Sequence, residues 1–248
     1  MQERGTAAYL AEFIGTLLLV FFITAVVSLY VKEPSALNPN PFIDFSVIGL
    51  VHVFLLFVLI QTLAVVSGAH FNPAVTAAMT VLRQIKPVDA AYYVVMQMLG
   101  GVAGALLTKA ILLDEGKAQH YGAPTVSDAI NGAIFPGMVV EALGTFFLLW
   151  AIIGVAVNPR GAKDWAAFAI GAALGMAVMV FAPLTGAGFN PARAFGPAIV
   201  SGEWGGTDNF LLVYVLAPVI GALVAGFLYF ALVIAPGKRE VGGVEPVG

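Results

Sequence analysis

Apolar residues dominate six long stretches of the chain, near 7–31, 45–67, 89–113, 134–157, 165–184 and 209–235. Each meets the about 20 residues that a helix needs to cross the hydrocarbon of a bilayer. The connectors between them are different. Residues 32–44 carry Pro34, Pro39 and Pro41, while 114–131, 158–164 and 201–209 are polar and glycine-bearing. Two further apolar pieces hold 11 residues each, 72 to 82 and 190 to 200. At about 1.5 Å per residue, a helix of that length reaches roughly 16 Å, about half a bilayer. The run behind Met1-Gln-Glu-Arg-Gly-Thr6 is too long for the apolar core of a secretory signal and is read as the first span. The predicted fold class is an all-α membrane protein: six transmembrane helices plus two re-entrant half-helices.

The two short pieces sit at matching places in a repeat. Ser67-Gly-Ala-His-Phe-Asn-Pro-Ala74 answers Thr185-Gly-Ala-Gly-Phe-Asn-Pro-Ala192, with an offset of 190 − 72 = 118 residues. Earlier in each half, Glu12-Phe-Ile-Gly-Thr16 answers Glu141-Ala-Leu-Gly-Thr145. The first repeat is read as about 7–113 and the second as about 134–235. Together they form one channel domain over 1–240, with 241–248 as a short flexible tail. Each repeat contains three full spans, an odd number, so the second enters the membrane from the opposite side and the repeat is inverted. Gly100 with Gly104, Gly171 with Gly175, and Gly221 with Ala225 have the small-xxx-small spacing that lets membrane helices approach closely.

The repeated Asn-Pro-Ala carries the chemistry. Asn is a strong helix N-cap, and Pro suits the first helical position, where its missing N–H leaves nothing unpaired. Asn72-Pro73-Ala74 and Asn190-Pro191-Ala192 therefore start two half-helices that meet near the midplane. Irregular backbone ahead of them survives at membrane depth only if buried in protein or lining a water-filled cavity. Each helix N-terminus carries about half a positive charge, so two of them facing one another disfavour a cation between them, hydronium included. Capping is expected to leave each Asn amide NH2 free to donate to a passing solute. The carbonyls of Gly68, Ala69, His70 and Phe71, and of Gly186, Ala187 and Gly188, are expected to supply acceptors along the path.

Composition and charge narrow the class. The chain is 60% hydrophobic and 10% charged, which suits hydrocarbon as the surrounding solvent, and its net charge of −3 argues against nucleic acid as a partner. There are no cysteines, which excludes disulfides and thiolate chemistry. His52, His70 and His120 are too scattered for a metal site, and no cofactor is expected. Lys and Arg counts favour cytoplasmic termini. That orientation places Arg4, Arg83, Lys86, Arg160, Lys163, Lys238 and Arg239 inside, against Lys32, Lys109 and Lys117 outside. Arg193 lies three residues after Asn190 and so shares its helix face. An arginine in an apolar segment is a functional candidate.

Over nearly its whole length the chain resembles the aquaporin family. The resemblance rests on Ser67-Gly-Ala-His-Phe-Asn-Pro-Ala-Val-Thr76, Gly188-Phe-Asn-Pro-Ala-Arg-Ala-Phe-Gly-Pro197, and the paired Ala11-Glu-Phe-Ile-Gly-Thr16 and Val140-Glu-Ala-Leu-Gly-Thr145. It implies an hourglass pore in each subunit of a homotetramer, and the cell membrane is the expected location. It puts Arg193 in a narrow outer constriction, walled also by His52, Val178 and Ala187. It makes Glu12 and Glu141 buried structural acids that accept hydrogen bonds from the re-entrant backbone. His70 is read as lending a carbonyl to the pore, and His120 as a solvated loop residue, with a role at the pore mouth as the alternative. Strict water channels of the family place an aromatic where His52 stands and a His where Val178 stands. The set here is closer to the tonoplast intrinsic proteins, some of which also pass ammonia. Glycerol-conducting members carry a Trp and Phe wall and an Asp where this chain has Ala194. In Tyr214-Val215-Leu216-Ala217-Pro218, Val stands where most water channels have Trp; archaeal aquaporins are similar there, and also around Asn38–Phe42. The implied function is a passive channel, not an enzyme, for water and for ammonia or other small neutral solutes, excluding protons and ions. The alternatives are a glycerol facilitator and, further off, a secondary transporter.

Overall fold

A computed structural model describes residues 5–32, 42–204 and 209–235. Arg4, Lys238, Arg239, Asn38 and the proposed tail 241–248 lie outside the described residues. The six spans are α1 (Thr6–Tyr30), α2 (Phe45–Ser67), α4 (Pro87–Ile111), α6 (Ile134–Val157), α7 (Lys163–Thr185) and α9 (Phe210–Ile234). Every boundary falls within two residues of the expected one. The half-helices are α3 (Pro73–Val81) and α8 (Pro191–Ser201). A short helix, α5 (Leu113–Ala118), follows α4. A two-residue antiparallel ladder, β1 (Val31–Lys32) with β2 (Phe42–Ile43), staples the end of α1 to the start of α2.

Local chemistry sets the ends. Asp44 caps α2, accepting from the Ser46 and Val47 N–H groups at 3.0 Å each. Asn72 Oδ1 accepts from Ala74 N at 2.9 Å, and Asn190 Oδ1 from Ala192 N at 2.9 Å and Arg193 N at 3.3 Å, with proline at the first position of both half-helices. In α9 the turns over Phe210–Leu216, just ahead of Pro218, are widened. Proline has no N–H and its ring crowds the carbonyl four residues back, so the helix opens there.

The packing carries the repeat. Exchanging α1, α2, α3 and α4 for α6, α7, α8 and α9 maps the helix pairs onto each other. Thus α1 packs on α4 as α6 does on α9, α4 on α8 as α9 on α3, and α1 on α2 as α6 on α7, while α2 against α7 and α3 against α8 map onto themselves. The small residues sit where backbones nearly touch. A Cβ on Gly104 would lie 2.4 Å from the Leu17 carbonyl, and one on Gly221 2.1 Å from the Ala142 carbonyl. The outward faces are apolar, with Phe54, Val65, Phe135 and Leu232 more than half exposed. Such faces need hydrocarbon around them, so the chain is a membrane protein.

Candidate pore and selectivity filter

Each re-entrant loop is wired to a buried carboxyl group. Glu12, in α1, accepts from Ser67 Oγ (2.6 Å) and His70 N (3.0 Å) through Oε1, and from Phe71 N (2.7 Å) through Oε2. In the other half Glu141 accepts from Thr185 Oγ1 (2.6 Å) and Gly188 N (2.8 Å) through Oε1, and from Phe189 N through Oε2. Both acids thus accept from backbone N–H groups of the loop that precedes the half-helix in their own repeat. Tyr93 and Tyr214 repeat the correspondence, donating to the carbonyls of Ser67 (2.6 Å) and Thr185 (2.8 Å). Gly15 and Gly144 leave room for the Phe71 and Phe189 rings, since a Cβ on either would stand about 2 Å from ring carbon.

These anchors hold an unusual backbone. Ala69 and Phe71 have φ of 53° and 48°, and Ala187 and Phe189 have 49° and 51°. A left-handed non-glycine residue costs roughly 1–2 kcal/mol, so the loops keep this shape only because surrounding bonds impose it. In return the carbonyls turn sideways instead of along a helix.

The amides of the two caps behave differently from expectation. Asn72 Nδ2 donates to the Phe189 carbonyl at 2.9 Å, and Asn190 Nδ2 donates to the Phe71 carbonyl at 2.8 Å. Each NH2 therefore spends one N–H on fixing the opposite loop and keeps one for solute. The same bond corrects the expectation for Phe71: its carbonyl serves Asn190, the residue is fully buried, and it lines neither cavity. Geometry alone could not show this in the sequence, because each bond joins residues nearly half the chain apart.

Two cavities penetrate the helices. One, of about 260 Å³, runs from Lys163 and Ala156 at one face past Ile60, Ile170 and Leu148 to Asn72 and Asn190, ending at His52, Ala187 and Arg193. Gly68, Ala69, His70 and Gly188 line it as expected. The second, of about 330 Å³, opens at the opposite face beside Gln119, His120 and Pro124 and reaches Val178, Gly186, His52 and Arg193. His52 and Arg193 are the two residues common to both. Of the other two expected filter residues, Ala187 lines the first cavity and Val178 the second. His120, for which both a solvated loop position and the pore mouth were open, lines the second cavity.

Arg193 is 3% exposed, so it does not snorkel to a lipid surface. Nη1 donates to the Gly122 carbonyl at 3.2 Å and Nη2 to the Gly186 carbonyl at 3.3 Å, while Nε is buried with no protein partner. His52 donates through Nδ1 to the Ile48 carbonyl at 2.7 Å, since a carbonyl only accepts. Nε2 is then the nitrogen it offers to the cavities.

Sequence reasoning missed two members of this site. Gln97 Nε2 donates to Glu12 Oε2 (2.8 Å) and Thr76 Oγ1 (2.9 Å), and His70 Nδ1 reaches Thr76 Oγ1 at 3.1 Å. The signal was an amide alone inside an apolar span. The other is Gly122, whose loop gave no periodic signal.

A six-span bundle with two half-helices capped head to head beside two cavities that share His52 and Arg193 is the architecture of a membrane pore. The model of the major intrinsic protein family matches residues 2–229, and the chain belongs to that family. It is 36% identical to "Glycerol uptake facilitator protein-like 6" of Lactiplantibacillus plantarum over 219 residues, covering 88% of this chain and 94% of that one. It is 32% identical to "Aquaporin AqpM" of Methanothermobacter marburgensis over 244 residues, covering 90% and 96%. Among solved structures, the aquaglyceroporin from Plasmodium falciparum shares the fold, with a TM-score of 0.76, 21% identity and coverage of 95% of this chain and 99% of that one.

Proposed function

We propose that the chain is a passive pore for water that also passes ammonia, with His52, Val178, Ala187 and Arg193 as its filter. One observation carries the reading: the two cavities share His52 and Arg193 in their walls, and Asn72 and Asn190, each with one amide N–H still free, line the first of them. A solute that accepts hydrogen bonds exchanges its water partners for these donors. A cation meets two half-helix N-termini and a guanidinium. Glu12 and Glu141 are each tied up in the loop scaffold, which speaks against an ion-coupled transporter.

The ammonia claim rests on Val178, which cannot hydrogen-bond solute, and Ala187, which takes little room. Proteoliposomes given an ammonium gradient are expected to alkalinise faster than empty vesicles while also shrinking osmotically at channel rates. Val178→His adds a polar group and narrows the opening. Ammonia permeability is then expected to fall roughly ten-fold, the factor that about 1.4 kcal/mol supplies, with water falling less. Wild-type ammonia flux equal to that of empty liposomes would leave a water-selective pore. Glycerol run in the same vesicles tests the second reading, which the facilitator-named relative favours. Rapid glycerol uptake alongside slow water flux would establish it in place of the first.

Because the chain has no cysteine, water flux is expected to be unchanged by low mercuric concentrations. Inhibition that a thiol reverses would mean that the measured flux does not pass through this chain. We further read 1–240 as one channel domain that assembles as a homotetramer in the cell membrane. Both termini are read as cytoplasmic, on the side of Arg83, Lys86, Arg160 and Lys163.

A further inference from the structure

The turn that gives Arg193 one of its two carbonyl partners is itself held in a strained state. His120, Tyr121 and Gly122 have φ of 49°, 50° and 69°. Of these three consecutive left-handed residues, the glycine alone adopts that region without a Cβ clash. Such backbone persists where its surroundings fix it. Two backbone bonds close it, from Gly122 N to the Gln119 carbonyl at 2.8 Å and from Ala123 N to the His120 carbonyl at 3.1 Å, and one large side chain anchors it. Tyr121 is 4% exposed, and its ring lies flush on α5, where a Cβ at Gly116 would stand 2.4 Å from Tyr121 Cδ1. Its hydroxyl donates to the Leu113 carbonyl at 3.2 Å. Lys109 Nζ sits 5.7 Å from the ring centroid, within reach of a cation–π contact.

Lys109 also ties this anchor to the half-helix that carries the filter arginine. Its Nζ donates at 3.4 Å to the carbonyl of Val200, in the last turn of α8. A cation there suits the negative end of the helix. Arg193 lies in the first turn of the same helix, and its Nη1 takes the Gly122 carbonyl, one residue past Tyr121. Tyr121 lines neither cavity, so it touches no solute.

We propose that Tyr121, seated on Gly116 and covered by Lys109, is a positioning residue for selectivity: it locks the left-handed turn that aims the Gly122 carbonyl at Arg193. Without the ring, residues 120 and 121 relax toward right-handed or extended backbone, and the Gly122 carbonyl turns away. Arg193 then keeps one fixed carbonyl, at Gly186, and its guanidinium swings about that bond. The opening it guards widens, and its donors no longer face solute from one direction. This rests on the reading of Arg193 as part of the filter.

The test compares selectivity, not flux alone. Ammonia-to-water and glycerol-to-water permeability ratios are measured in proteoliposomes for wild type, Tyr121→Ala, Tyr121→Phe, Gly116→Ala and Arg193→Val, and for Tyr121→Ala combined with Arg193→Val. Loss of a hydrogen bond to a charged group that water partly replaces is expected to raise the ratios roughly three- to ten-fold in Tyr121→Ala. Gly116→Ala, which displaces the ring without removing it, is expected to do the same, and it serves as the test if Tyr121→Ala is not recovered folded. Tyr121→Phe keeps the ring and is expected to keep the wild-type ratios. In the Arg193→Val background Tyr121→Ala is expected to add nothing, because its effect passes through the guanidinium. Ratios unmoved by Tyr121→Ala and Gly116→Ala, while Arg193→Val moves them, overturn the anchor and leave the filter standing. An equal effect of Tyr121→Ala with and without Arg193 overturns it too, showing general loosening. If Arg193→Val itself changes no ratio, the filter reading falls first and the anchor with it.

Discussion

Proteoliposomes carrying Arg193→Val are expected to leak protons or small cations while their water permeability survives. The guanidinium belongs to one of the two residues that line both cavities, and Arg193 is 3% exposed. Two unit charges about 4 Å apart repel by roughly 4 kcal/mol at an effective dielectric near 20, which is about a thousand-fold in cation occupancy. The half-helix dipoles and the cost of desolvation remain, so conductance is expected to rise by less, between roughly ten- and a thousand-fold. Folding is expected to hold, because the Gly122 and Gly186 carbonyls released by the change lie on residues that line the second cavity and can turn to water. The measurement is dye-reported internal pH under an imposed potential, beside osmotic shrinkage of the same vesicles. Unchanged proton conductance together with unchanged solute selectivity would place Arg193 outside the filter.

The variant also shows where the sequence was readable. Both half-helices were legible from the repeated Asn-Pro-Ala in matching flanks ahead of two short apolar runs, because cap and proline chemistry act within three residues and need no tertiary partner. The six spans were legible because length and hydropathy decide them. Arg193 stood out for its charge in apolar company. The fine structure of the site depends instead on partners far away in the chain. The Asn72 amide was expected to be free, yet it binds the carbonyl of Phe189, 117 residues on. Gly122 meets Arg193 across 71 residues, from a loop whose left-handed turn no periodicity announces. The acids fall between these cases. A carboxyl in mid-span signals importance, but only the folded loop distinguishes a scaffold from a proton relay.

That distinction sets the second large effect. Glu12→Ala and Glu141→Ala are expected to prevent stable folding, not merely to slow flux. Glu12 accepts from four donors, at Ser67, His70, Phe71 and Gln97, and Glu141 from three, at Thr185, Gly188 and Phe189. Two donors in each set are backbone N–H groups of a loop that already holds left-handed Ala and Phe residues. Each buried donor left unmade costs roughly 1–3 kcal/mol, so the sum reaches the 5–15 kcal/mol that holds an ordinary domain together. Glu12→Ala is expected to be the worse of the two, since Gln97 and Thr76 lose their organising partner as well. The Gln variants separate scaffold from relay. A Gln amide oxygen can still accept on one side, but its NH2 then faces a donor, so roughly half of the bonds are lost and thermal stability falls. A proton relay would show the opposite pattern: Glu→Gln would fold as well as wild type and abolish transport that depends on a proton gradient. The readouts are the monodisperse fraction after extraction, the unfolding temperature in detergent, and water permeability per inserted protein. Glu141→Gln with wild-type stability and lost gradient-driven flux would sink the scaffold role and revive the transporter. A drop in unfolding temperature with water permeability retained in the surviving fraction is the outcome that the bonds to His70, Phe71, Gly188 and Phe189 lead us to expect.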